Sequence, residues 1–458
     1  MSIRAFFRPG WFLLVIATLH AAAPDDAEAL LVIVGDQHSA YERTAQVVAQ
    51  IDRLRAENPR LPFAILVDGD VFEFGNVVAR RSAGAVDFAM LAAFAQRAPT
   101  VLNLGNHEPE FYDLPDTIKR LRATGVMVIS NITDRATGAP YIPASTTLKL
   151  GRHEAVVVGV STDLLASFRV AVRPSVDLAE PVAWARKNFP ELLRRAPVKI
   201  VLSHAGLLAD RGMLPLVPDG TLFAGAHDHI RFAHRAGRTV YVHSGSWNEF
   251  LTLASLRVDA AGPNWEVRHQ RIELTDRTDP ALAALIRDTQ TEHLTPEDIA
   301  TVGRSPREFS PDEAARFAVG AVRTEAGVDA AFVGRTTFGA GLPLGEVSRV
   351  ALDACVRFDS VICTAEVTGV QLRAILAMSN ENEATPFAQR HGDYLVADGA
   401  PAIDPARRYR IATTDWIARN PGQYLGDASI VLKEQPALRL KTIMTRALNP
   451  GAAPKAAP

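Results

Sequence analysis

Five short stretches of this sequence carry the side chains that bind metal ions. They are Asp36-Gln37-His38, Asp68-Gly69-Asp70, Asn106-His107-Glu108, Ser203-His204 and His227-Asp228-His229, and they hold five of the 12 histidines. Carboxylate oxygen with imidazole nitrogen suits Mn, Fe or Zn better than Ca or an ion that prefers thiolates. In D-x-H and H-x-H on extended chain, residues i and i+2 point the same way. Asp36 and His38 can therefore approach one ion together, as can His227 and His229. Two ions about 3.5–4 Å apart need a bridging carboxylate, and they turn a bound water into a nucleophile near neutral pH. Each stretch taken alone also has a bland reading. A lone buried His is commonly a satisfied core residue, Asp68 and Asp228 can be loop residues, and Asn106 can close an Asx-turn. The five together, in this order, are hard to attribute to chance.

Each stretch follows a short apolar run. The runs are residues 30–34 (LLVIV), 63–67 (FAILV), 101–104 (VLNL), 198–202 (VKIVL) and 222–224 (LFA), with further runs at 126–129, 155–160 and 240–242. Most are continuous rather than alternating, which marks strands covered on both faces. Residues 42–56 place Val47, Val48, Ile51 and Leu54 at helical spacing. This alternation predicts an α/β layered domain, with ligands gathered beyond the carboxyl ends of the strands. The pattern changes at 276–294, a polar helix candidate, and Thr295-Pro296-Glu297 reads as a further helix start. The domain boundary is placed in this linker, residues 276–300. Residues 301–448 then form a smaller α+β unit, with strands predicted at 330–333, 359–367 and 409–412 and helices at 311–325 and 370–378. Residues 449–458 are a Pro/Ala-rich tail.

The bulk composition narrows the class. The 458 residues exceed one common domain about threefold, so two domains are expected. With 48% apolar and 22% charged residues, the chain can bury a full core. A net charge of −2 argues against a nucleic-acid polymer as partner. Residues 1–23 have the layout of a cleaved signal peptide, with Arg4 and Arg8, an apolar run at 11–19 and Ala21-Ala22-Ala23. That run is too short for a membrane span, so no stable membrane anchor is expected. The expected location is periplasmic or secreted. There, Cys355 and Cys363 either pair across a hairpin turned at 358–360 or stay as two buried thiols.

The ordered set DQH, GD, GNHE, SH and HDH resembles the calcineurin-like metallophosphoesterases. More narrowly, the chain is similar to the two-domain 5′-nucleotidase family. VDGDVFEFG, NLGNHE, VISNI and YVHSGSWNEFLTLASLRVD carry that likeness in residues 24–275. DAAFVGRTTFGAGLPLGEVS, VTGVQLRAIL and YRIATTDWIARNPGQYL carry it in the C-terminal half. The resemblance implies a four-layer α/β/β/α sandwich with a dinuclear site, followed by a smaller α+β substrate-binding domain. It places one ion on Asp36, His38, Asp70 and His229, and the other on Asp70, Asn106, His204 and His227, with Asp70 bridging. Many members have Gln where His229 stands.

In the family the histidine at His107 stabilises developing charge, held by an Asp three residues on. Here Glu110 occupies that position, and Asp113 is a nearby alternative. In the second domain the family's Arg position falls on Gly339, and Arg335 lies earlier. Phe387 and Tyr424 sit where rings would stack on a base; the other reading makes them core or rim aromatics. The Gly-Gly-Asp-Gly lead-in to the second ring is absent. The resemblance thus implies a secreted, dinuclear-metal phosphoesterase using Mn, Zn or Fe, with a small-molecule phosphate ester as partner. A 5′-nucleotide is the first expectation. A nucleotide-sugar, a cyclic nucleotide or a thiosulfonate ester would use the same chemistry. A periplasmic binding protein that has lost catalysis is the alternative from another class.

Overall fold

The computed structural model describes residues 24–449 except 25, 383, 400 and 401. The expected signal segment 1–23 and tail residues 450–458 lie outside the described residues.

Two six-stranded sheets form the first domain. One runs in the order Gly262–Arg271, Phe250–Asp259, Ala29–Val34, Phe63–Asp68, Thr100–Asn103, Met127–Ile129. The other runs Arg231–Ala236, Thr239–Ser244, Leu222–Gly225, Val198–His204, His153–Ser161, Ser145–Leu150. The inner four strands of the second sheet and the last four of the first are parallel, in register pairs such as Val34 with Val67 and Gly225 with Ser203.

The apolar runs are continuous because both faces of these strands are buried. Leu30, Val32 and Val34 pack outward on Val47, Ile51 and Phe94 of helices Tyr41–Glu57 and Ala85–Arg97. Leu31 and Ile33 pack inward with Ile200, Leu202 and Val242 of the other sheet. Val156 and Val158 meet Phe189 of helix Pro181–Leu192 on the far side. The result is the α/β/β/α sandwich. The hairpin of Phe250–Asp259 with Gly262–Arg271, ten residues per strand, extends the first sheet and is not among the predicted strands.

Helix Pro280–His293 starts on an Asp279 cap, whose Oδ1 accepts from the N–H of Leu282 at 2.8 Å. Its Leu282 and Ile286 pack into the helical layer of the first domain. The helix predicted to start at Thr295 does not form. The Thr295 carbonyl closes one turn on the N–H groups of Asp298 and Ile299. The Asp298 carboxylate ties back to Thr295 and binds Arg81, and the chain then extends into strand Thr301–Ser305, paired with Gly345–Ser348. Local bonds and strand pairing outcompete the helix signal of Pro296.

The second domain centres on a five-stranded sheet ordered Leu395–Gly399, Ala330–Gly334, Arg408–Thr414, Val361–Thr368, Lys433–Arg439. Capping boxes start its helices Pro311–Ala326 (Ser310 with Glu313) and Gly369–Ala377 (Thr368 with Gln371). Cys355 ends helix Arg349–Cys355 and Cys363 lies in a strand, so no hairpin faces them together; both are buried free thiols. No helix among the described residues is long and apolar enough to cross a membrane.

Candidate metal centre

The parallel strands of both sheets end at one edge, and the ligand stretches turn there. Asp36 and His38 follow Ala29–Val34, Asp70 follows Phe63–Asp68, and Asn106 and His107 follow Thr100–Asn103. His204 ends Val198–His204, and His227 and His229 follow Leu222–Gly225. Five of these residues turn in the left-handed region: Asp36 (φ 49°), His38 (48°), Asp70 (53°), His227 (81°) and His229 (59°). Non-glycine residues there cost about 1–3 kcal/mol each and persist only when the surroundings over-determine them. Here the N–H of Asp36 donates to the Gly69 carbonyl at 3.1 Å, that of His38 to Asp70 at 3.0 Å, and that of Trp247 to Asp36 at 2.9 Å. Gly69 itself allows the close approach: a Cβ there would lie 2.6 Å from the Gly105 nitrogen and 2.7 Å from Nδ1 of His204.

The side chains converge as tightly as the backbone. Asp70 Oδ2 lies 3.0 Å from Nε2 of His204 and 3.9 Å from Nε2 of His38. Asp36 Oδ1 lies 4.0 Å from Nε2 of His38, 4.0 Å from that of His229 and 3.9 Å from that of His204. Asp36, His38 and His229 form one potential ligand group, and Asp70, His204 and His227 another. Asp70 also groups with His38 and His107, which places it between the two.

The chemistry of these donors suits a cation. Oδ1 of Asn106 and Nδ1 of His227 are buried without a hydrogen-bond partner. Nδ1 of His204 lies 2.7 Å from the Asp68 carbonyl, which keeps a proton on Nδ1 and leaves Nε2 to face Asp70 and the centre. The Nε2 atoms of His38 and His229 face each other at 2.8 Å. Burial holds His38 and His227 down to about 3, with Arg357 adding to the first and His204 to the second, and it holds His229 well below the usual range. All three are thus neutral, the form that binds metals. Burial pushes the Asp36 carboxyl well up, and Asp70 adds to this against the pull of His204. Burial alone would raise Asp70 too, but His204, His107 and His38 hold it well below the usual range. Burial disfavours the charged form of His204, but Asp70 and Asp36 outweigh it and push this ring well up. Two buried acids among four imidazoles offer the oxygen and nitrogen donors that suit divalent ions of the Mn, Fe or Zn kind.

His107 stands at the edge of this cluster, with Nδ1 2.6 Å from Oε1 of Glu110. Burial disfavours its charged form, but Asp70 and Glu110 outweigh it and raise the ring to about 9. Asp113 is engaged elsewhere: it caps helix Leu114–Ala123, accepting from the N–H of Asp116 at 2.8 Å. Glu108 is a residue that the sequence reading left without a role. Its carboxylate accepts from the N–H groups of Gly105 (2.5 Å), Val71 (3.0 Å) and Asp70 (3.2 Å), clamping two ligand loops together. The acid in GNHE was the signal.

A cavity of about 670 Å³ opens above the centre. Asp70, Asn106, His107, Glu110, His227 and His229 form its floor, and Arg357, Phe358, Asp393, Trp416 and Tyr424 its second-domain wall. Tyr424 is fixed there, accepting from Nε1 of Trp416 at 3.0 Å and donating to Asp393 at 3.0 Å. Two predicted substrate-binding residues do not reach this cavity. Arg335 is buried against Asp312 Oδ1 (2.9 Å) and the Phe338 carbonyl (3.2 Å). Phe387 stacks on His234, ring centroids 4.1 Å apart, and packs beside Phe232 and Tyr241 of the first domain. Arg357 and Phe358 stand on the wall instead, and no sequence motif marked them. Gly339, where the resemblance places an Arg, has no room for one: a Cβ would lie 2.2 Å from Cζ2 of Trp247.

Residues 29–231 match the family model described as calcineurin-like phosphoesterase, and residues 289–426 that of the 5′-nucleotidase C-terminal domain. No curated protein matches the sequence. Among solved structures, the chain is similar to a sulfate thiohydrolase SoxB of Thermus thermophilus, at 17% identity and a TM-score of 0.65, covering 93% of this chain and 94% of that one. It is similar to a 5′-nucleotidase precursor, also of Thermus thermophilus (17%, 0.59, 92% and 96%), and to a 5′-nucleotidase of Candida albicans (13%, 0.60, 92% and 98%).

Proposed function

Because the chain belongs to the two-domain family that joins a calcineurin-like phosphoesterase domain to a 5′-nucleotidase C-terminal domain, and is therefore a metal-dependent hydrolase of phosphate esters, we propose that it hydrolyses 5′-nucleotides with two divalent ions. The observation that supports this reading is a buried cluster of carboxyl and imidazole donors whose Asp70, Asn106, His227 and His229 form, with the His107–Glu110 pair, the floor of one cavity, beneath aromatic rings from the other domain. Asp36, His38, Asp70 and His229 would hold one ion, and Asp70, Asn106, His204 and His227 the other. Bound there, the ions supply positive charge to the phosphoryl oxygens and lower the pKa of water.

The chain's own residues supply the rest. Glu110 takes Nδ1 of His107, which leaves the other N–H of a charged ring to face the cavity. That N–H donates to the phosphoryl or leaving-group oxygen as charge develops on it. Glu108 holds the Asp70 and Gly105 loops so that the donors need no rearrangement. Phe358 and Tyr424 offer ring faces to a planar base. Residues 1–23 support export to the periplasm or beyond.

Metal-stripped protein reloaded with Mn²⁺ is expected to hydrolyse a generic aryl phosphate and, faster, nucleoside monophosphates. A panel with nucleotide-sugars, cyclic nucleotides and thiosulfonate esters reads the substrate class. Nucleotides turned over no better than the aryl phosphate would refute the nucleotide assignment, and no turnover with Mn²⁺, Zn²⁺ or Fe²⁺ would refute the catalytic one.

A further inference from the structure

Arg357 comes from the second domain and ends inside the metal site of the first. It follows helix Arg349–Cys355 and is only 6% exposed. Its Nε donates to Oε2 of Glu73 at 2.8 Å, and its Nη2 makes a second, shorter contact with the same oxygen. Its Nη1 donates to the Thr336 carbonyl at 3.0 Å, and its own N–H to that of Thr337 at 2.9 Å. The guanidinium is thus anchored in its own domain and reaches across to a carboxylate of the other.

Glu73 is itself fully committed. Its Oε1 accepts from the N–H of Gly75 at 2.8 Å, and its N–H donates to Oγ of Ser39, the residue next to His38. Nδ1 of His38 lies between the two members of the ion pair, 3.5 Å from Glu73 Oε2 and 3.1 Å from Arg357 Nη2. The far side of the His38 ring stacks on Trp247, with centroids 5.6 Å apart at 27°. Trp247 fills the space that the missing side chain at Gly339, in the second domain, leaves open. His38 is therefore packed by parts of both domains, with its Nδ1 facing the Glu73 carboxylate that Arg357 holds.

A histidine that gives Nε2 to a metal carries its hydrogen on Nδ1, and a carboxylate there fixes the ring and raises its basicity. Glu73 is the carboxylate within reach of that hydrogen. An isolated buried carboxylate is costly, and Arg357 is what keeps it charged and in place. We propose that Arg357 is a positioning residue for the Asp36–His38–His229 ion: by clamping Glu73 it orients His38, so that seating of the second domain completes a metal site whose ligands all lie in the first. The proposal rests on the dinuclear reading above. It also makes metal affinity and domain seating reciprocal, because each stabilises the arrangement that the other needs.

The test is calorimetric titration of the metal-stripped full chain with Mn²⁺ alone, on the wild type and on R357Q, E73Q, the double variant and R357K. Wild-type protein is expected to take two ions. In R357Q and E73Q one ion binds about 10- to 100-fold more weakly while the other is unchanged. The double variant matches E73Q alone, because both changes break one arm. R357K recovers part of the loss, since it restores the charge without the fork. If R357Q does not fold, the charge-balanced double variant carries the comparison. Two ions bound at wild-type affinity in the folded variants would overturn this proposal alone. Equal weakening of both ions would also overturn it. Wild-type protein that takes no Mn²⁺ would overturn the dinuclear reading and this proposal with it.

Discussion

The floor and the wall of the cavity are held by different kinds of bond. On the floor, each ligand follows a parallel strand, and backbone hydrogen bonds such as His38 to Asp70 and Asp36 to Gly69 set its direction. On the wall, side chains hold one another: Trp416 supports Tyr424, which rests on Asp393, which in turn accepts from the N–H of Thr336. Strand ends can move only if the sheet moves, whereas a side-chain relay is retuned by one substitution. On the function proposed above, reaction chemistry belongs to the stiff region and selectivity to the adaptable one.

The largest effect is expected at the point shared by both ions. Asp70→Ala should lose both metals and reduce turnover by more than about 10³-fold; full metal occupancy by elemental analysis would show that the floor does not depend on its bridge. Next, His107→Asn should cost about 10²–10³-fold in kcat with both ions retained, and Glu110→Ala a smaller factor in the same direction. Metal loss in either variant would merge catalysis with ligation and blur the division of roles.

Behind the floor, Asp210 accepts from Ser203 Oγ and from the Tyr241 hydroxyl at 2.8 Å. Burial pushes its carboxyl up to about 8 against those hydrogen bonds. Between about pH 4 and 8 the folded chain holds this proton and the unfolded chain does not. Stability is therefore lost as pH rises through that window, by at most about 1.4 kcal/mol per unit. Asp210→Asn should remove this component; denaturant titrations with the same pH slope in both proteins would contradict it. On the wall, Phe358→Ala should raise KM for a nucleotide by about 3- to 10-fold, the worth of an aromatic contact. An aryl phosphate, used as a control, should be less affected. Equal effects on both substrates would mean that the wall does not select.

The sequence exposed the floor because its information is local. An apolar run buried on both faces, then Asp-x-His or His-x-His, specifies a strand and the ligands at its end within a few residues, as Leu30 to His38 does. GNHE likewise placed Asn106, His107 and Glu108 together, although the clamp that Glu108 makes on Asp70 appears only when two strand ends meet. Local reading failed where contacts between distant segments decide. Thr295-Pro296-Glu297 has a helix signal, but Arg81 and strand pairing hold the segment otherwise. Phe387 and Arg335 have suitable chemistry, yet they are drawn into packing against His234 and Asp312. Arg357 lies 284 residues from Glu73, and nothing near either one announces the pair. The sequence by itself determined the strand ends and their donor types. The tertiary structure alone decided which groups of the second domain face them, because that depends on how two cores, each with its own pattern, meet across a cavity.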